Sequence, residues 1–255
     1  MDLKLAGRRA VVIGGARGIG LAISEGFRAE GAHVALCARS STEVGKAVQR
    51  LSAAGGGAEG AAIDVRDEKA LAEWLARVAG GGGIDVAVLC ASALAMGNAE
   101  ADWRNSIEID LLGSVRAITH LRPHLEQAAQ RRGDAALVHI STTSVTETAF
   151  LAAYGAAKAA VVHYCKSVAK DLAPKKVRVN VVTPGTVYVE GGGWDKVKSV
   201  APERFQAALA RNPTGRMASP QEVADAVVFL ASPRSSFTTG ANLTVDGAIT
   251  QAVHY

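Results

Sequence analysis

Apolar positions along the chain recur in two periods. Short β-branched runs, RAVVIG (9–14), HVALCA (33–38), GAAID (60–64), IDVAVLC (84–90), AALVHIS (135–141), VRVNVVT (177–183) and ANLTVD (241–246), read as seven strands. Longer stretches between them carry the helical period: 18–31, closed by Gly31; 41–53; 67–79; a long one over 101–130, expected to break or bend near Pro123; and 220–231. VVIG, VALCA and VAVLC are continuous apolar runs, as in strands covered on both faces. Strand and helix alternating in this way predict an α/β fold, a doubly wound, mainly parallel seven-stranded sheet with helices on both sides.

Composition narrows this little. The 255 residues suit one domain, 1–255, long enough to bury a core without staples. No apolar run reaches the length of a membrane span, and MDLKLAGRRAVVIGG lacks the pattern of an export signal, so a cytoplasmic protein with no membrane partner is expected. Cys37, Cys90 and Cys165 are scattered and odd in number, which suggests neither disulfides nor a metal site. A net charge of +4, with acidic and basic residues interleaved, argues against nucleic acid as a partner.

The chemistry begins between the first strand and first helix, at GGARGIG (14–20). Glycines there let the backbone turn tightly and approach a pyrophosphate, and the helix start supplies free N–H groups and partial positive charge. Gly14, Ala16, Arg17, Gly18, Ile19 and Gly20 are thus candidate contacts of a dinucleotide. A fold that prefers the unphosphorylated ribose carries an acid about twenty residues on. This chain has Ala38, Arg39 and Ser40 there. The planar fork of Arg39, with Arg17 opposite, suits a 2′-phosphate, so NADP(H) is expected over NAD(H), which stays possible. Asp64 and Val65, ending the third strand, are candidates to meet the adenine; a helix-capping role for Asp64 competes, although Asp67 is better placed to cap.

With G-x-x-x-G-x-G, a later Y-x-x-x-K in AAYGAAKAAV (152–161), RVNVVTPG, and a closing TTGANLTVDGA, the sequence resembles the short-chain dehydrogenase/reductase family over essentially its whole length. The resemblance implies a single Rossmann-type domain, commonly a homotetramer or otherwise a homodimer. It also implies hydride transfer between NAD(P)(H) and a small-molecule carbonyl or alcohol, as in a 3-oxoacyl-type or other ketone reductase. Tyr154 would exchange the substrate's proton, and Lys158 would tune it while holding the nicotinamide ribose. Helical i,i+4 spacing puts both on one face. An ammonium about 5 Å from the phenol, at an effective dielectric of about 20, would favour phenolate by about 3 kcal/mol, roughly two pKa units. The substrate-binding hydroxyl falls at Ser141 by its separation from Tyr154, or at Thr142 if the strand itself is matched. Pro184, Gly185, Thr186 and Val187 resemble the nicotinamide-side loop, and 187–211 the substrate lid, read as irregular around GGGW (191–194), with Tyr188 and Trp194 placed to meet an apolar or ring-bearing substrate or to pack against a neighbouring subunit.

Three places depart from the family pattern. Ile13 stands where a threonine is common, Cys90-Ala91-Ser92-Ala93 replaces N-N-A-G beside the cofactor, and Asp110 replaces the catalytic asparagine of the proton relay. An aspartate can accept from Lys158 but cannot donate, and its charge opposes the ammonium's pull on Tyr154. These departures support the alternative of a weakly active or non-catalytic dinucleotide-binding sensor or scaffold.

Overall fold

The computed structural model describes residues 1–53, 57–148 and 152–252. Its elements run β1 (Arg9–Ile13), α1 (Gly18–Ala29), β2 (His33–Ala38), α2 (Ser41–Ala53), β3 (Ala58–Ala62), α3 (Glu68–Gly80), β4 (Val86–Leu89), α4 (Glu100–Asn105) and α5 (Gly113–Arg132). There follow β5 (Ala135–Ile140), α6 (Ala153–Leu172), β6 (Val177–Pro184), α7 (Gly193–Val200), α8 (Pro202–Ala210), α9 (Pro220–Ala231) and β7 (Asn242–Val245). The seven strands lie in the order β3-β2-β1-β4-β5-β6-β7, and every pair is parallel. Reversal of strand order beside β1 opens a crevice at the carboxyl ends of β1 and β4, where such folds place their ligands.

Side chains on successive strand positions face opposite sides. Val11 and Ile13 of β1 therefore join the core under α3, α5 and α6, whereas Ala10 and Val12 join the core under α1, α2 and α9. The predicted bounds of α2 and α9 match the structure, and α9 starts on a capping box between Ser219 and Glu222.

Two expectations need correction. Helix α5 runs unbroken through Pro123; the interruption of the long helix comes earlier, where Ser106–Leu112 forms a π-helical segment. The GGGW region, which the sequence marks as irregular, is followed by helices α7 and α8. Glycines dominate the local composition there, but GWDKVKSV and PERFQAALA carry enough straight-chain residues to form a turn or two each.

Below the sheet, at the start of the strands, Arg178 of β6 is buried. It reaches Asp134 at 2.8 Å and donates to the carbonyls of Leu230 (2.6 Å), Ala231 (3.3 Å) and Ser232 (3.0 Å), closing the end of α9. Removing this guanidinium leaves a carboxylate and three carbonyls without their donor. Arg178→Ala is expected to cost about 3–5 kcal/mol; at about 2–4 °C per kcal/mol for a chain of this size, Tm should fall by about 10 °C. A melting curve within a degree or two of wild type would refute this role.

Candidate active site

At the end of β1 the chain must pass very close to β4. A Cβ on Gly14 would sit 2.6 Å from the Ala91 amide nitrogen, and Gly14 has φ +87°, so only glycine fits. A Cβ on Gly20 would collide with the Gly14 carbonyl, so the third glycine is fixed by the tightness of the turn. Helix α1 then begins at Gly18 with Arg17 extended before it, no side-chain cap and no acidic residue in the first turn. Its free N–H groups and positive end fit an anion such as a pyrophosphate. Ala16 is buried in this loop and Ile19 packs on the core beneath it. Arg17, Arg39 and Ser40 are exposed on the rim.

Other predicted cofactor residues sit less as expected. Asp64 holds Arg66 through both carboxylate oxygens, at 2.6 to 3.1 Å, and this hydrogen-bonded pairing keeps its carboxyl below the usual range. Asp67, not Asp64, caps α3 by accepting from the Ala70 amide. Val65 is buried, and its Cγ2 would lie 2.9 Å from a Cβ on Gly113, so it packs against the start of α5. On the other side of the crevice, Pro184 ends β6, and Gly185 passes so near Asp246 that a Cβ would meet its Cβ at 2.8 Å. The Thr186 carbonyl accepts from Ala218 and the Tyr188 amide donates back to Ala218, clamping the backbone around Val187. Thr186 Oγ1 is buried with no hydrogen-bond partner among the described residues, an orphan hydroxyl of the kind a bound amide would satisfy.

Helix α6 brings Tyr154 and Lys158 together, both buried, with Nζ 5.9 Å from the ring centroid. Lys158 donates to the Ile140 carbonyl at 3.0 Å and lies 3.5 Å from Asp110 Oδ1. Asp110 is wholly buried and accepts from the Ala93 amide at 3.4 Å. The π-helical segment carries Asp110, inserting an extra residue into its turn ahead of α5. Cys90 donates its amide to Ile13, and Ala91 packs on the core, so these two brace the sheet through backbone and apolar contact.

The sign of the Tyr154 shift is opposite to the sequence-based expectation. Burial, and then the Asp110 charge, push the phenol above its ordinary value of 10.0; hydrogen bonds with the hydroxyls of Ser92 and Thr142 pull it partly back. Burial is the first reason, since a dry site disfavours the charged phenolate, and the second is that the Lys158 ammonium is answered there by a carboxylate.

Of the two hydroxyls the sequence left open, Thr142 lies near enough to the phenol to favour its charged form while its Oγ1 bonds Ser144, and Ser141 is buried with its Oγ unpartnered among the described residues. The contact from Ser92 to the phenol was not foreseen; a serine inside an altered N-N-A-G stretch is the signal that pointed to it. Tyr188, Trp194 and Phe205 of the predicted lid pack edge to face on one another, with Lys198 over the rings of Tyr188 and Phe205. Val189 lies over the glycine loop, its methyls 3.6 Å from a Cβ on Gly18. Among the described residues no His/Cys/Asp/Glu group is arranged to hold a metal, and no helix is long and apolar enough to cross a membrane.

A buried phenol and lysine on one helix thus share the crevice with a tight glycine turn and an uncapped helix start. A family model described as enoyl-(acyl carrier protein) reductase matches residues 14–250. The chain is 34% identical over 258 residues to isoepoxydon dehydrogenase of Aspergillus clavatus, covering 96% of this chain and 95% of that one. It is 37% identical over 264 residues to cis-4-hydroxycyclohexanecarboxylate dehydrogenase of Sinomonas cyclohexanicum, covering 98% and 99%. Its fold superposes with a TM-score of 0.86 on L-sorbose reductase from Gluconobacter frateurii, solved with NADPH and L-sorbose, at 27% identity over 99% and 100% of the two chains. The chain belongs to the short-chain dehydrogenase/reductase family. It is an NAD(P)(H)-dependent oxidoreductase that moves a hydride between the nicotinamide cofactor and a carbonyl or alcohol, and the sensor or scaffold alternative is not favoured.

Proposed function

We propose that the protein interconverts a secondary alcohol and a ketone carried on a carbocyclic ring, with NADP(H) as the preferred cofactor. The observation that carries the proton chemistry is the buried Tyr154 hydroxyl with Lys158 behind it and Ser92 and Thr142 beside it. The bound nicotinamide supplies a hydride in reduction and accepts one in oxidation. Tyr154 Oη gives the proton to the carbonyl oxygen in reduction and takes it from the alcohol in oxidation. Thr142, with Ser141 as the second candidate, would hydrogen-bond the substrate oxygen; Lys158 would hold the nicotinamide ribose, and Thr186 with the Val187 backbone would hold the carboxamide.

Two observations support a ring-bearing substrate. The loop from Ser92, which touches the phenol, to Gly97, whose carbonyl accepts from the Ala153 amide, exposes Leu94 and Met96 on the rim of the site. Two relatives are dehydrogenases named for isoepoxydon and for cis-4-hydroxycyclohexanecarboxylate. Reduction of cyclohexanone-type ketones should then exceed that of open-chain ketones of equal size, read as NADPH consumption; equal or reversed kcat/KM values would refute the substrate class.

For the cofactor, Arg39 and Arg17 on the rim and the NADPH in the sorbose reductase support NADP(H). Arg39→Asp should weaken NADPH binding by about tenfold or more and leave NADH binding equal or tighter, through loss of a charge-assisted phosphate contact. An unchanged preference in paired titrations would remove Arg39 from this role. As for assembly, Phe229 of α9, Phe237 ahead of β7 and Leu243 of β7 are exposed, as are Trp103 of α4 and Ile107 and Leu112 of the π segment. Two separate apolar faces support a homotetramer, and sedimentation of the pure protein tests it.

A further inference from the structure

His139 interrupts the apolar run of β5 and is wholly buried. Its Nε2 lies 3.1 Å from Ser114 Oγ, and Ser114 Oγ lies 2.6 Å from the Asp110 carbonyl oxygen. A carbonyl has no proton to give, so the one hydroxyl proton of Ser114 points to Asp110, and His139 must supply the proton of the remaining contact. The ring is therefore the Nε2–H tautomer. Burial, and after it the Lys158 charge, hold it well below the usual histidine range, so it stays neutral. Nδ1 is left as an unpartnered lone pair among the described residues.

The neighbouring residue, Ile140, offers its carbonyl to Lys158 Nζ at 3.0 Å, and Asp110 Oδ1 lies 3.5 Å from the same nitrogen. These contacts close a ring: Lys158 to Ile140, along the chain to His139, across to Ser114, to the Asp110 carbonyl, and from the Asp110 carboxylate back to Lys158. We propose that His139 is a positioning residue, tying β5 to the π-helical segment so that the two acceptors of Lys158, the Ile140 carbonyl and the Asp110 carboxylate, are held at a fixed separation. The inference rests on the reading of Tyr154 and Lys158 as the reacting centre. A small displacement of the ammonium matters because the groups facing Tyr154, namely Asp110, Cys90, Ser92, Thr142 and Lys158, are packed in a water-poor site where fields fall off slowly.

The test compares His139→Gln, whose amide Nε2 can still donate toward Ser114, with His139→Leu, which fills the space without a donor. With NADPH and the best ring ketone of the panel above, and with NADP+ and the matching alcohol, His139→Leu should lower kcat roughly tenfold and displace the pH limb of alcohol oxidation, with NADPH affinity unchanged. His139→Gln should recover most of the rate and return the limb. Equal losses in both variants, or no loss in either, overturn the inference while Tyr154→Phe remains inactive; a Tyr154→Phe enzyme as active as wild type sinks the underlying reading instead. Independently of turnover, nitrogen NMR of histidine-labelled protein without cofactor should show one ring, absent in His139→Gln, as the neutral Nε2–H tautomer through the neutral range. Its protected proton should vanish in Ser114→Ala. An Nδ1–H or charged ring at that position overturns the proposal.

Discussion

Tyr154→Phe is expected to lower kcat in both directions by about a thousandfold, within the range that a positioned general acid and base supplies, and to leave NADPH binding within a factor of about two. The substitution removes one oxygen. The ring still fills its buried place on α6, while Ser92 and Thr142 lose their partner but face the crevice, where water or substrate can replace it. No step of hydride transfer itself needs the phenol, so the loss reads the proton transfer alone. Cofactor affinity by fluorescence and turnover by NADPH absorbance separate the two, and a variant retaining more than about a tenth of wild-type kcat would be incompatible with Tyr154 as the proton donor.

Asp110→Asn carries the second large effect, and its sign is set by electrostatics. In the native protein burial first, and the Asp110 carboxylate second, hold the Tyr154 phenol above its ordinary value. With Tyr154 as the proposed acid and base, alcohol oxidation should rise with pH as phenolate forms, and ketone reduction, which uses the protonated phenol, should persist where oxidation is still rising. Replacing the carboxylate by an amide removes the charge that disfavours phenolate and leaves the Lys158 ammonium unopposed. The phenol's affinity for its proton falls, and the oxidation limb should move down by about one pH unit or more, raising oxidation near neutrality about tenfold. The same change breaks a buried ion pair, which should cost about 3 kcal/mol or more of stability. A faster but less stable enzyme is therefore the expected result. A limb that stays in place, or moves upward, would show that Asp110 does not act on Tyr154.

The parts of this protein written in short-range pattern were readable from the sequence. Strands such as VALCA and VAVLC are apolar on both faces because helices cover both faces, and Ser219 with Glu222 announces the start of α9 three residues apart. The glycine loop was readable for the same reason: Gly14 and Gly20 are demanded by contacts within a few residues or with one neighbouring strand. The π-helical segment was not, because SIEIDLL has an ordinary helical composition and the extra residue shows only in which carbonyl each amide finds. Pro123, the obvious breaker, proved compatible with α5.

Site electrostatics were harder still. That Lys158 follows Tyr154 by four residues is a sequence fact; that its charge is answered by Asp110, about fifty residues earlier, depends on how the π-helical segment packs against α6. The sequence supplied the right groups and the wrong sign. His139 reads as an ordinary strand residue, and the hint in AALVHI is a lone polar ring among apolar residues, with Leu89 and Val181 beside it in the sheet. The lid's rings, read as open to substrate or to a neighbouring subunit, instead pack on one another, a tertiary choice that no spacing rule encodes.

The π-helical segment has one more consequence, for how this chain tolerates insertions and deletions. A π turn differs from an α turn by one residue, so deleting a single position within Ser106–Leu112 would let the backbone relax to the commoner helix. Such a chain would keep its fold and even gain regular hydrogen bonding. The flanking helices would keep their register, because the bulge already absorbs the extra residue, but positions inside the segment would be redistributed around the axis by up to about 100°, and the position-110 carboxylate is the one whose place opposite Lys158 depends on that turn. A substitution on the exposed side of this stretch, at Ile107 or Leu112, leaves that geometry in place, whereas the loss of one codon would mend the helix and move the partner of Lys158.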